Sequence, residues 1–93
     1  MDRRKYPRFQ TNLQAVASLK NRASVVQIEL VNIGGGGICF QCEEELTEGE
    51  NLHVYFPFIT VHCYVIWRQD NRYGAMFINP LGDELQVICS GGK

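Results

Sequence analysis

Two short segments of this sequence contain residue types that bind anions or planar rings. Near the N-terminus, RRKYPR places Arg4 and Arg8 four residues apart around a proline, with Arg3 beside them. Proline blocks a regular helix here and favours an extended arm. Guanidinium groups pair with phosphates, bind the O6/N7 edge of guanine and stack on purine faces. A basic cluster alone is more often a solvated tail, so this segment defines only a candidate anion site.

The second segment is the run of four glycines within VNIGGGGICF, residues 31–40. Glycine loses more backbone entropy on folding than any other residue, so four in succession weaken the strands that they interrupt. A bare loop of this kind permits positive φ and lets backbone N–H groups approach a ligand closely. The alternative is a wide bulge or a flexible loop without a ligand. A strand pattern follows the glycines and no Lys-Ser/Thr pair is present, so neither a P-loop nor a dinucleotide-binding turn fits.

Composition and charge restrict the class of protein. The 93 residues are 45% hydrophobic and 20% charged, which is typical of one small folded domain. Nine basic and ten acidic side chains leave a net charge of −1, which argues against a general nucleic-acid binder. The charges are unevenly placed, since DRRKYPR holds four of the cations and EEELTEGE, residues 43–50, holds five of the anions.

The N-terminus and the hydropathy pattern indicate a cytoplasmic protein. Charged residues stand where the apolar region of a signal peptide would begin, and no apolar run is long enough to span a membrane. We therefore expect the four cysteines to be reduced thiols.

Neither the cysteines nor the histidines form a recognisable catalytic or metal-binding pattern. Cys39 and Cys42 have the spacing of metal ligands, but residues three apart on a strand face opposite sides and no second ligand pair follows. His53 and His62 lie within strand patterns and have no nucleophile motif beside them. We expect no metal site and no catalytic residues.

The elements that position these segments are predicted to be β-strands. Period-two alternation or short apolar runs predict six strands, in residues 13–20, 25–33, 38–42, 50–56, 60–68 and 73–79. The alternation places Trp67 on the same face as Cys63 and Val65. The connections are too short for parallel crossovers, so we expect an all-β, antiparallel sheet closed into a small barrel. Residues 81–89 could form a helix of about two turns.

Together the two segments resemble the motifs of the PilZ domain, a bacterial receptor module for the second messenger cyclic di-GMP. The family pattern is RxxxR near the N-terminus, followed by [D/N]xSxxG, on a six-stranded antiparallel barrel. Arg4 to Arg8 matches RxxxR, and the segment from Asn32 matches the second motif at Asn32 and Gly37. The resemblance continues through LTEGENLHVYF and VIWRQDNRYGAMF and so covers nearly the whole chain.

The resemblance implies where a ligand would bind. It assigns ligand contacts to Arg3, Arg4, Arg8, Asn32, Gly34 and Gly37. Arg4 and Arg8 would clamp the phosphates and guanine, and Asn32 would hydrogen-bond guanine. Gly37 would give the loop its shape. Gly34 stands where the family has serine and supplies no hydroxyl, so one hydrogen bond to the ligand would be missing.

We therefore expect a single domain with an arginine-bearing arm over residues 1–10, a barrel over 13–80 and a C-terminal segment over 81–93. It would bind cyclic di-GMP noncovalently, without a cofactor, and pass the signal to an unidentified protein partner through ordering of the arm. We expect a monomer or weak dimer. One alternative is a degenerate PilZ adaptor that acts through a protein interface without nucleotide. Another is a binder of single-stranded nucleic acid, which the missing basic stripe disfavours.

Overall fold

The computed structural model describes residues 8–20, 23, 25–57, 59–82 and 88. These residues form seven strands: β1 (Arg8–Gln10), β2 (Gln14–Leu19), β3 (Val25–Gly34), β4 (Gly37–Cys42), β5 (Asn51–Tyr55), β6 (Thr60–Gln69) and β7 (Arg72–Phe77). Strands β2 to β7 confirm the six that the alternation predicts. Strand β1 is an addition, since it occupies the end of the segment expected to be an arm.

Six of the strands close into a barrel. Strand β3 pairs with β2, the pairing continues through β5, β6, β7 and β4, and β4 returns to β3. All of these pairings are antiparallel, which confirms the predicted architecture. Strand β1 lies outside the ring and pairs with the C-terminal part of β3, beyond the part that pairs with β2.

The barrel interior is filled by apolar side chains. Val26, Ile28 and Leu30 alternate inward along β3, as the sequence pattern predicts, and are 6%, 2% and 0% exposed. Phe40 and Tyr73 are the largest fully buried side chains, and their rings stack with centroids 5.5 Å apart. Among the described residues no polar or charged side chain is buried, so burial of apolar surface is the main stabilising contribution to this core.

Two β-bulges change which residues face outward. On β3 the register against β4 shifts between Leu30 and Asn32, and on β6 the register against β7 shifts between Val65 and Trp67. Each bulge adds one residue and so reverses the inward and outward alternation beyond it. The prediction that Trp67 shares a face with Val65 is therefore wrong, because Val65 is 1% exposed and Trp67 is 38% exposed on the outside.

The glycine run forms a short hairpin connection. Strands β3 and β4 extend to Gly34 and Gly37, so that only Gly35 and Gly36 connect them. The carbonyl of Gly36 accepts from the N–H of Phe77 at 2.9 Å, and that of Gly35 accepts from Leu81 at 2.7 Å. None of the four glycines uses the positive φ that glycine permits; among the described residues positive φ occurs at Gly49 and Asp70.

The predicted C-terminal helix falls mostly on residues 83–87 and 89, which lie outside the described part of the chain. Ile88 is described and is buried against the barrel core. Within the described residues there is no helix whose length and apolar character would suffice for a membrane crossing.

Candidate ligand-binding site

An outward-facing row of residues crosses five strands at one level of the barrel. Gln10 pairs with Asn32, Asn32 with Cys39, Cys39 with Gly74, and Gly74 with Trp67. Directly opposed residues of antiparallel strands project to the same face, so these five positions are neighbours on the barrel surface. We call them the site row. Both bulges adjoin it, because they turn Asn32 and Trp67 outward.

A shallow pocket of about 160 Å³ lies on the site row. It is lined by Asn32, Ile38, Cys39, Ile66, Trp67, Gly74 and Ala75. Sites for complete drug-sized ligands usually measure about 300 to 1,000 Å³, so this pocket has room for only part of such a ligand, such as one planar ring. Its lining combines an amide, an indole and small apolar side chains, which suits a base edge and a base face.

Trp67 lies across the backbone of Gly74. A Cβ atom at Gly74 would collide with three atoms of the indole, Nε1, Cε2 and Cδ1. Glycine is required there if the ring is to keep this position. Neither Gly74 nor Cys39 is recognisable as a site residue from the sequence, because their place depends on the pairing of β7 with both β4 and β6.

Gly37 has a packing role that the structure makes explicit. A Cβ atom at this position would collide with the carbonyl oxygen of Ala75 on β7. The backbones of β4 and β7 approach closely where Gly37 pairs with Met76. The glycine therefore permits the contact between β4 and β7 that helps to close the barrel. This contact lies next to the pocket on the site row.

The sequence-predicted arginines lie at the N-terminal end of β1 and before it. The backbone of Arg8 pairs with that of Gly34, two residues along β3 from Asn32. Two residues of a strand span about 7 Å, so Arg8 begins close to the site row. Arg3 and Arg4 lie outside the described residues.

Tyr73 and Arg68 both fix the acidic segment 43–50 to the barrel. The hydroxyl of Tyr73 donates to the carbonyl of Glu44 at 3.0 Å and accepts from the N–H of Leu46 at 3.1 Å. Arg68 pairs with Glu45 at 3.1 Å and lies over the Tyr73 ring, 5.7 Å from its centroid. These contacts hold the connection between β4 and β5 against the hairpin that carries Trp67.

The cysteines of the described chain, Cys39, Cys42 and Cys63, are not joined in disulfide bonds. Cys39 lies on the outward site row, whereas Cys42 pairs with the inward-facing Ile28, so the two face opposite sides as expected. Burial raises the pKa of the Cys63 thiol to about 12. Within the described residues, no group of three or more His, Cys, Asp or Glu side chains is arranged to hold a metal ion.

The fold is a small six-stranded antiparallel β-barrel with an additional N-terminal strand beside the pocket. The family model described as PilZ domain matches residues 2–89. The chain belongs to the PilZ domain family, a family of cyclic di-GMP receptor and adaptor domains without catalytic activity of their own. None of the curated proteins matches the chain.

Proposed function

We propose that this chain is a cytoplasmic, non-enzymatic receptor that binds cyclic di-GMP on the site row. The observation that carries the proposal is the pair of bulges, which turn Asn32 and Trp67 outward into one pocket next to β1. A bulge interrupts the ladder of a strand and is uncommon without a structural or functional reason. Two bulges on different strands serve the same pocket here.

In this proposal each residue type has a separate task. The amide of Asn32 hydrogen-bonds the edge of a guanine, whose ring stacks on the exposed face of Trp67. Arg8, with Arg3 and Arg4 before it, pairs with the phosphates. Gly34 supplies no hydroxyl to the ligand, and Gly37 keeps β4 against β7. No bond of the ligand is made or broken.

The signal would pass through the N-terminal segment. Strand β1 is not part of the closed ring, so its pairing can change while the six-stranded barrel stays intact. Binding of the phosphates by the arginines would stabilise one arrangement of residues 1–10 and thereby present or cover a surface for an unidentified protein partner.

A degenerate adaptor is the second candidate function. Gly34 favours it, because the motif serine and its hydroxyl are missing. An adaptor would use the same barrel to bind a protein partner and would show no saturable nucleotide binding.

Fluorescence titration separates the two functions. Trp67 is the only tryptophan of the chain, so stacking of a base on its indole should change the emission without any label. We expect saturable quenching by cyclic di-GMP, and no comparable change with GTP or short oligonucleotides. Calorimetry on the same samples gives the affinity. Absence of binding by both methods would favour the adaptor.

Asn32→Ala and Gln27→Ala form a matched pair of variants for this test. Both positions are on β3, and Gln27 is exposed away from the site row. The first substitution should weaken binding by about tenfold, since one hydrogen bond to a base edge is lost, and the second should leave the affinity unchanged. Equal affinities would remove Asn32 from the site.

A further inference from the structure

Strand β1 brings a second side-chain amide to the site row, beside that of Asn32. Gln10 on β1 and Asn32 on β3 are direct partners in the antiparallel register. The neighbouring pair, Phe9 and Ile33, belongs to the opposite face, since Ile33 is 0% exposed in the barrel interior. Gln10 and Asn32 therefore share the outward face, with their Cα atoms about 4.5 to 5.5 Å apart.

The amide of Gln10 is available to a ligand. Its side chain is exposed, and the amide makes no hydrogen bond to another residue of the described chain. Thr11, the next polar residue, already uses its hydroxyl to accept a hydrogen bond from the N–H of Leu13 at 3.2 Å. A glutamine amide offers one acceptor oxygen and two N–H donors.

Four positions of β1 and β3 form a square on the outward face, which we call the β1–β3 square. Arg8 is opposite Gly34 and, two residues along, Gln10 is opposite Asn32. Arg8 and Asn32 therefore lie on one diagonal of the square, and Gln10 and Gly34 lie on the other. Diagonal neighbours are about 7 to 8 Å apart, within reach of a long side chain. Gly34 contributes no side chain.

A bound nucleotide would cross the β1–β3 square along the first diagonal. In the proposed function, on which this inference rests, Asn32 binds the edge of a guanine and Arg8 binds a phosphate. The pocket has room for a single planar ring, so the rest of the ligand lies outside it. The ribose joins the base to the phosphate, so it would lie over the middle of the square. Of the two remaining positions, Gln10 carries a side chain that can hydrogen-bond the ribose and Gly34 does not.

We propose that Gln10 is a further ligand-binding residue, whose amide hydrogen-bonds the ribose 2′-hydroxyl of cyclic di-GMP. The phosphodiester linkages of this ligand use the 3′ and 5′ oxygens, which leaves the 2′-hydroxyl as the free hydroxyl of each ribose. A hydroxyl both donates and accepts, so it matches either end of the amide. Gln10 thereby makes the site selective for the ribonucleotide over its 2′-deoxy analogue.

Calorimetric titration of the full chain with cyclic di-GMP and with its 2′-deoxy analogue tests the proposal. We expect the wild type to prefer cyclic di-GMP by about two- to tenfold, the effect of one neutral hydrogen bond. Gln10→Ala should lose this factor for cyclic di-GMP and should bind the deoxy analogue like the wild type, so that the preference disappears. Gln10→Leu, which removes the amide but keeps a side chain of similar size, should behave in the same way.

Gln27→Ala is the matched control, because Gln27 is an exposed glutamine of β3 away from the site row, and it should keep the preference. Circular dichroism shows whether each variant keeps its fold. Equal affinity of the wild type for the two ligands would overturn the proposal, as would a preference that persists in both Gln10 variants. Either result leaves the proposed receptor function intact, whereas a wild type that binds neither ligand would contradict that function and this inference with it.

Discussion

Arg8 and Gly34 are direct partners in the antiparallel register of β1 and β3. The second arginine of RxxxR therefore begins one strand spacing, about 4.8 Å, from the position where the second motif lacks its serine. The two motifs are about 25 residues apart in the chain but are joined by backbone pairing in the fold. A substitution in one motif should therefore affect the ligand contacts of the other.

Arg8→Ala should weaken binding of cyclic di-GMP by about one to two orders of magnitude, since a charge-assisted hydrogen bond contributes about 1.5 to 3 kcal/mol. The fold should persist, because the pairing of Arg8 with Gly34 uses the backbone. Calorimetry measures the affinity, and Lys20→Ala, which removes an exposed cation at the end of β2, is the matched control. An Arg8→Ala protein that binds like the control would exclude the arginine from the site.

Gly34→Ser should tighten binding by about 0.5 to 1.5 kcal/mol, because it restores the hydroxyl of the motif. Gly34 does not have a positive φ, so a side chain there strains no backbone dihedral, and it reduces the entropy of the unfolded state. Calorimetry and thermal unfolding on the same variant give both quantities. Unchanged stability with unchanged affinity would show that β3 does not contact the ligand at this position, and would favour the adaptor.

Gly37→Ala should destabilise the barrel by about 1 to 3 kcal/mol, because the added Cβ would meet backbone, the carbonyl of Ala75, rather than a side chain that can move. Gly74→Ala is the informative comparison. There the added Cβ meets the Trp67 indole, which can rotate away, so we expect a smaller loss of stability together with a changed tryptophan emission and weaker nucleotide binding. Urea unfolding followed by circular dichroism gives the free energy of unfolding of each variant. A Gly37→Ala protein as stable as the wild type would contradict the close approach of β4 and β7.

Cys63 should resist alkylation in the folded protein. Burial raises the pKa of its thiol from 9.0 to about 12, so almost none is thiolate at neutral pH. Iodoacetamide labelling at pH 8, followed by peptide mass spectrometry, should modify this residue only after unfolding in urea. Since folding favours the neutral thiol, its contribution to stability is full below pH 9 and is lost as the pH rises towards 12. Rapid native labelling of Cys63 would show that the interior opens readily.

The sequence predicts the strands well because a barrel wall buries one side of each strand, and this leaves a period of two in the residue types. It cannot predict the bulges, since one extra residue in a strand leaves no compositional mark. The orientation of Trp67 was predicted wrongly for this reason. The short strand β1 is not predicted, because three residues are too few to show the alternation of a strand. The roles of Gly37 and Gly74 depend on neighbours from other strands, so they emerge only from the register.

The position of β1 outside the ring has a consequence for the energy of local opening. Detaching this strand breaks its three pairings with β3 and leaves every contact of the closed barrel in place. The free energy of opening at the N-terminal edge should therefore be much smaller than that of global unfolding. The amide hydrogens of β1 should exchange with solvent long before the amide hydrogens of β3 that bond to β4. In the proposed relay, a ligand that binds Arg8 and changes the pairing of β1 would have to overcome only this small local free energy, so occupancy could be reported while the barrel stays intact.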